Sequence, residues 1–133
     1  MKIAIDFDGT IVEHCFPAIG PPVRKAFYYM RRFQDVGAKL ILYTMRSDGG
    51  KHGNVLMEAV QFCREHGIEF YGVNRDPDQD TWTSSPKAYA QRYIDDAAFG
   101  CPLIELASGR LCVDWSKVGP QVFAELTGTR EAA

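Results

Sequence analysis

Residues 1–10 read MKIAIDFDGT, and this stretch decides the fold. The segment Lys2–Phe7 is a short apolar run rich in β-formers, which predicts a buried strand. The run ends in acidic residues followed by Gly9, which is typical of a strand that stops at a functional loop. An ordinary Asp-Gly turn is the alternative interpretation of the same residues.

Strand-like and helix-like segments alternate through the first hundred residues. Apolar residues at helical spacing separate short β-rich runs, and Ser85 followed by Pro86 is a typical helix start. This alternation predicts an α/β fold with a doubly wound, mostly parallel sheet in three α/β/α layers. The other predicted strands are Lys39–Tyr43, Ile68–Val73 and Arg92–Ile94, and the predicted helices are Val23–Val36, Asn54–Glu65 and Pro86–Gln91.

The pattern changes near the carboxyl terminus. Leu103–Leu106 and Leu111–Trp115 flank a turn-like segment and predict a β-hairpin, and a last helix is expected at about Pro120–Leu126. A chain of 133 residues has room for one domain with a real core. We therefore expect a single domain, with a core over residues 1–105 and a hairpin-and-helix extension over residues 106–133.

Composition narrows the functional classes. A net charge of −2 provides no global basic field, so charge alone does not attract nucleic acid, although a local basic patch is left open. The four cysteines show neither a C-x-x-C pair nor a zinc-ligand rhythm. We find no signal-peptide pattern and no apolar stretch of about 20 residues that could span a bilayer. The expectation is a cytoplasmic protein without membrane partners.

The most suggestive polar residues follow the predicted strands. In a mostly parallel sheet, ligands bind beyond the carboxyl ends of the strands. Asp6 and Asp8 there could act as a covalent nucleophile and a proton shuttle, and Gly9 permits close approach of a phosphate to the backbone. The whole set is Asp6, Asp8, Thr44, Asn74, Asp95 and Asp96.

Asp95 and Asp96 also end an apolar strand. Alone, the pair would be read as a helix cap or a solvated turn, but beside Asp6 several carboxylates would repel one another unless a cation held them. Thr44 could donate a hydrogen bond to phosphate, although a threonine in a β-rich run is usually structural. Lys87 lies near a predicted helix start, where the macrodipole disfavours a cation, so it is either exposed or held by an anion.

Four short motifs, in this order, resemble the haloacid dehalogenase (HAD) superfamily of aspartate-nucleophile phosphohydrolases. The resemblance covers roughly residues 1–105, and the first motif is the specific one. It implies a Rossmann-like core. The matching segments are Asp6-Phe7-Asp8-Gly9-Thr10, Thr44 after Leu40–Tyr43, Lys87, and Ile94-Asp95-Asp96.

The resemblance implies a role for each motif residue. Asp6 would attack phosphorus, Asp8 would protonate the leaving group and then activate water, and Thr44 and Lys87 would hold the phosphoryl group. Mg²⁺ would be bound by Asp6, the main-chain carbonyl of Asp8 and Asp95, with Asp96 as a further or water-mediated ligand. Members that cleave carbon–halogen bonds lack an aspartate at the position of Asp8, which favours a phosphatase. The expected substrate-binding residues are Gly9, Thr10, Met45 and Arg46.

The intervals between the motifs have no room for the cap domain that the family usually inserts. The chain therefore resembles the capless members, whose open sites act on macromolecules or are closed by a neighbour in a homo-oligomer. The substrate would be a phosphorylated compound of unknown class. A second anionic group could be held by loop residues that otherwise are simply solvated, namely His14, Arg46, Lys51, His52 and Arg75.

Two other functional classes compete with an enzyme. A phospho-acceptor domain of the receiver type uses similar residues, but its phosphorylated aspartate ends the third strand, where this chain has Val73-Asn74. A phosphate-binding module without turnover would keep the same motifs. Trp82 lies in a polar stretch and could stack on a substrate, contact a neighbouring subunit or cover the core.

Overall fold

The computed structural model describes residues 1–128. It contains a parallel sheet, a separate hairpin and three α-helices among those residues, none of them long and apolar enough to cross a membrane. The strands are β1 (Lys2–Ile5), β2 (Lys39–Leu42), β3 (Gly72–Val73), β4 (Arg92–Ile94), β5 (Leu103–Glu105) and β6 (Leu111–Val113). The helices are α1 (Ala26–Asp35), α2 (Val55–Glu65) and α3 (Trp115–Thr127), with a one-turn 3-10 helix at Gln79–Thr81.

The sheet has the order β3-β2-β1-β4, and all of its strands are parallel. β1 lies at the centre with Ile5 opposite Leu42 on one side and Ile94 on the other. Side chains alternate between the two faces of a strand, so Ile3 and Ile5 lie on one face and Ala4 on the other. The predicted α/β architecture with a mostly parallel sheet is confirmed, and it brings the ends of β1, β2 and β4 together at one edge.

The helices of the described chain share the sheet face that carries Ile3 and Ile5. Buried residues of all three helices, including Phe33, Ala59 and Trp115, belong to one cluster with these strand residues. The Trp115 indole N–H donates to the Thr10 carbonyl at 2.7 Å. α3 therefore anchors the loop that follows β1.

The predicted helix over Pro86–Gln91 does not form. The buried Gln79 side chain instead donates to the carbonyls of Ser85 and Lys87, both at 3.0 Å, and accepts from the Tyr89 N–H at 2.9 Å. These bonds satisfy backbone groups that a helix would have paired internally. The second sheet face is consequently covered by this irregular segment, through Ala88 and Ala90, and a third helical layer is not present in residues 1–128.

The carboxyl-terminal hairpin is confirmed, with β5 antiparallel to β6. α3 begins at Trp115 rather than at Pro120, which lies inside the helix. The start is explained by Asp114, whose carboxylate accepts from the Ser116 N–H at 3.1 Å as an N-cap. Of the predicted extension over residues 106–133, the last five residues lie outside the described part of the chain.

Candidate active site

Three carboxylates meet where β1 and β4 end. The Asp6 N–H donates to the Ile94 carbonyl at 3.0 Å, so the parallel pairing continues into the residues that carry the carboxylates. Oxygen atoms of Asp6, Asp95 and Asp96 all lie within 4.8 Å of one another. The three residues are half-buried, and hard divalent cations favour such a set of oxygen donors.

The electrostatics of this cluster favour a bound positive charge. Burial raises the pKa of Asp6 to about 8, and the charge of Asp95 and a hydrogen bond with Asp96 act in the same direction, against the Thr10 hydroxyl. Burial also raises the pKa of Asp95. For Asp96, burial opposes ionisation, but hydrogen bonds from His14 and Asp6 outweigh it and lower the pKa. Without a cation, Asp6 holds a proton against Asp96, so the residues fit a Mg²⁺ ion.

Both the carboxylate and the backbone N–H of Asp96 already have hydrogen-bond partners within the protein. His14 Nε2 lies 2.9 Å from Asp96 Oδ2, and the Asp96 N–H donates to Thr10 Oγ1 at 3.1 Å. The Thr10 hydroxyl donates to Asp6 Oδ2 at 3.0 Å. Thr10 is fully buried and its hydroxyl orders the carboxylates of the cluster, while its predicted role in substrate binding stays a prediction. His14 likewise contacts Asp96, a pairing across 82 residues that no local pattern indicated.

Position 9 requires glycine for two reasons, the backbone conformation and the small space around its Cα. Its φ is +84°, and a Cβ there would overlap His14 Nε2 and the Asp96 carboxylate. Its N–H donates to the Val12 carbonyl at 2.7 Å, and the Thr10 N–H donates to the Phe7 carbonyl at 3.1 Å. Neither N–H is therefore free to bind a phosphate.

The open backbone donors of this loop are the N–H groups of Phe7 and Asp8. Within residues 1–128, neither donates to a protein acceptor. They precede Gly9 in the turn that leaves β1, beside the carboxylate of Asp6. The sequence predicts phosphate contacts at Gly9 and Thr10, because glycine permits close approach to the backbone. The two N–H groups without a protein acceptor belong instead to the residues just before Gly9.

We expect Gly9→Ala to disrupt the site far more than a glycine substitution with the same backbone penalty. Gly49→Ala is the matched control, because Gly49 has φ +86° and open space around its Cα. In both variants alanine has to adopt the left-handed backbone region, which costs about 1 kcal/mol. In Gly9→Ala the new Cβ also overlaps with His14 and Asp96. Thermal unfolding should give a melting temperature several degrees lower for Gly9→Ala than for Gly49→Ala. Equal melting temperatures would contradict the described geometry.

Asp8 is bound by Arg46 rather than by the acidic cluster. Arg46 Nε donates to Asp8 Oδ2 and Nη2 donates to Asp8 Oδ1, both at 2.8 Å. The remaining guanidinium N–H groups donate to the carbonyls of Pro17, Ala18 and Val55 at 2.9–3.3 Å. Arg46 is buried and all five of its donors are used. Its guanidinium N–H groups are thus bonded within the protein, while its predicted role in substrate binding stays a prediction.

Thr44 and Asn74 connect the ends of β2 and β3. The Thr44 N–H donates to Asn74 Oδ1 at 2.7 Å, and Thr44 Oγ1 accepts from the Arg46 N–H at 3.1 Å. Among the described residues 1–128, the Thr44 hydroxyl hydrogen has no acceptor, so it can donate to an anion. Met45 is 97% exposed, which leaves it accessible at the same edge of the sheet.

Lys87 is exposed and lies on the second sheet face. Its ammonium is 5.2 Å from the centroid of Tyr93, which is 6.1 Å from the ring of Tyr43. Side-chain alternation places Tyr93 on the same face as Asp95. Lys87 is thus beside the strand that carries Asp95, but it forms no ion pair with Asp6 in residues 1–128.

The other loop residues that were considered for a second anionic group have different partners. Arg75 pairs with Asp80, and the His52 ring contacts Phe16 edge-to-face with 5.1 Å between centroids. Trp82 is 64% exposed and packs edge-to-face on Tyr89, so it does not cover the core.

The fold and the acidic cluster together define an α/β domain with a candidate metal centre at the carboxyl edge of a parallel sheet. No model of a known protein family matches the chain, and no curated protein matches it. Among solved structures, it is similar to a conserved protein from Bacteroides thetaiotaomicron, with 34% sequence identity and a TM-score of 0.72. The match covers 94% of this chain and 91% of the Bacteroides chain. The chain belongs to the same family as that protein, whose description names no activity.

Proposed function

We propose that this protein is a capless Mg²⁺-dependent phosphohydrolase of the haloacid dehalogenase superfamily. One observation carries the proposal: Asp6 lies within 4.8 Å of Asp95 and Asp96, while Asp8, two residues later, is held apart from them by Arg46. A nucleophile inside a metal centre and a separate acid–base group are the two parts that this chemistry needs. The ordered motifs support the same assignment, as does the parallel sheet that places the end of β1 between those of β2 and β4.

Asp6 and Asp8 divide the reaction between them. An Asp6 oxygen attacks phosphorus, so a bond from Asp6 to phosphorus forms while the bond from phosphorus to the ester oxygen breaks. Asp8 gives its proton to that leaving oxygen. In the second half, Asp8 takes a proton from water, which attacks the aspartyl-phosphate and releases inorganic phosphate with Asp6 restored.

Mg²⁺ would be held by Asp6, the Asp8 main-chain carbonyl and Asp95. Asp96 is the more distant ligand in this scheme, because His14 and Thr10 already bind it. When bound, Mg²⁺ neutralises the clustered carboxylates and the charge that develops on the phosphoryl oxygens. The raised pKa of Asp6 means that its carboxylate is disfavoured unless a positive charge lies nearby, and Mg²⁺ would supply that charge.

Hydrogen-bond donors at the strand ends would hold the phosphoryl group. The N–H groups of Phe7 and Asp8 and the hydroxyl of Thr44 are free for this purpose. Lys87 would approach from the second face over Tyr93, since within residues 1–128 its ammonium contacts the Tyr93 ring and forms no ion pair. Donors fixed in advance around developing charge contribute much of the rate enhancement in such sites.

We expect Lys87→Ala to lower kcat/KM for a phosphomonoester by about 10²-fold, the usual effect of losing one transition-state donor. Lys51→Ala is the control, because Lys51 is another exposed loop lysine after β2. Both variants should unfold at the wild-type temperature. A Lys87→Ala variant as active as Lys51→Ala would remove Lys87 from the site.

The short connections between strands support a capless enzyme. Between Thr10 and Thr44 the chain contains only a loop, α1 and β2. Between Thr44 and Lys87 it contains α2, β3 and the 3-10 turn. Neither interval forms a second domain, and an oligomer neighbour or a large substrate would have to cover the site. The substrate class stays open between metabolites and macromolecules.

A broad panel of phosphomonoesters with Mg²⁺ tests the proposal. We expect at least one sugar phosphate, nucleotide or aryl phosphate to be hydrolysed. Mg²⁺ binding is followed in parallel as a rise in melting temperature. Hydrolysis of no ester on the panel, with intact Mg²⁺ binding, would refute the assignment as a hydrolase.

A further inference from the structure

The Arg46 guanidinium is enclosed by groups from three separate segments. It lies 4.9 Å from the ring centroid of Phe7 and 5.1 Å from that of Phe16. Its carbonyl partners are Pro17 and Ala18 from the loop after β1 and Val55 at the start of α2. Because the guanidinium is buried and all of its N–H groups are bonded, its orientation is fixed.

We propose that Arg46 is the positioning residue for Asp8, and that it aligns the Asp8 carboxyl group for proton transfer to the leaving group. This inference rests on the proposed function, in which Asp8 is the acid and base. The two 2.8 Å hydrogen bonds form a fork, so the carboxyl group of Asp8 cannot rotate without breaking one of them.

The fork leaves the outer edge of Asp8 available. Each carboxyl oxygen has a second lone pair beyond the one that faces the guanidinium. The Asp8 side chain is 16% exposed, against 1% for Arg46, so of the two partners Asp8 is the one that solvent reaches.

The proton transfer from Asp8 to the leaving group takes no proton from Arg46 and gives none to it. The O–H bond of Asp8 breaks as the O–H bond of the leaving alcohol forms, while phosphorus changes its bond from that alcohol to Asp6. Arg46 keeps its protons throughout, because guanidinium is not deprotonated in proteins. Lysine cannot replace it, since a single ammonium has no planar fork.

Two esters with different leaving groups distinguish alignment from general structure. p-Nitrophenolate leaves without a proton, whereas phenolate depends much more on an aligned acid. We expect Arg46→Lys to lower kcat/KM for phenyl phosphate by about 10²-fold, and for p-nitrophenyl phosphate by less than about 10-fold. Arg24→Lys, at an exposed arginine, is the control and should change neither value.

A double-mutant cycle completes the experiment. In an Asp8→Asn background, Arg46→Lys should cause no further loss of kcat/KM on phenyl phosphate, since Arg46 acts through Asp8. Melting temperatures are measured for every variant. If Arg46→Lys does not fold, Arg46→Gln repeats the series, because it keeps an N–H donor and removes the planar fork.

The results distinguish a failure of the positioning role of Arg46 from a failure of the proposed phosphohydrolase function. Equal losses on both esters, or losses that add to those of Asp8→Asn, would overturn the positioning role and leave the phosphohydrolase intact. Wild-type protein that hydrolyses neither these esters nor any other would overturn the proposed function, and the positioning role with it.

Discussion

Asp6→Asn is expected to lower kcat/KM for phosphomonoester hydrolysis by about 10⁴-fold or more, because the amide cannot form the bond to phosphorus. The substitution should not damage the fold. It removes a half-buried carboxyl group whose pKa is raised to about 8, and it is nearly isosteric. The measurement is steady-state hydrolysis of the best ester from the panel, with Mg²⁺ at saturation.

Asp35→Asn is the matched control for Asp6→Asn. Asp35 is an exposed aspartate at the end of α1, and its substitution should leave kcat/KM unchanged. If Asp6→Asn retained the wild-type rate, the measured activity would not belong to this site. A merely two- to fivefold loss would make Asp6 a metal ligand but not the nucleophile.

Removal of divalent cations is expected to have the second largest effect, a loss of about 10³-fold or more in kcat that added Mg²⁺ restores. The same cation should stabilise the fold, and more so at high pH. Without metal, the folded chain holds a proton on Asp6 between its ordinary pKa of 3.8 and its raised value of about 8. The stability of the metal-free protein therefore falls as the pH rises through this window.

Binding of Mg²⁺ at the proposed site would displace that proton, so its affinity should increase with pH. The rise in melting temperature on adding Mg²⁺ should consequently be larger at pH 8 than at pH 5. In Asp6→Asn the pH dependence of this rise should largely disappear, while Asp35→Asn should behave as wild type. A rise of equal size at both pH values would contradict a metal that binds through Asp6.

The sequence was most informative at the strand ends. The runs at β1 and β2 are apolar and end in polar residues, and the parallel pairing of β4 with β1 then places Asp95 beside Asp6. Local patterns are sufficient here because a buried parallel strand is nearly continuous in its hydrophobicity. The prediction that Asp6, Asp95 and Asp96 lie together is confirmed by their geometry, whereas their role in binding Mg²⁺ remains a prediction.

The features that sequence reasoning missed depend on contacts between distant side chains. Arg46 was assigned to substrate because it follows Thr44 in a polar loop, and no periodicity indicates that its donors close on Asp8. The helix expected after Ser85 fails because Gln79, in a separate turn, binds the backbone of that segment. A polar side chain that replaces secondary structure has no sequence pattern of its own.

In the proposed reaction, Asp6 carries the phosphoryl group during turnover. Wild-type protein mixed with a phosphate-labelled ester and Mg²⁺, then quenched in acid within the first turnovers, should release a peptide labelled on Asp6. The label should decay at the rate of phosphate release. Label that persists would favour a phospho-acceptor over an enzyme, and turnover without any label on Asp6 would contradict the account.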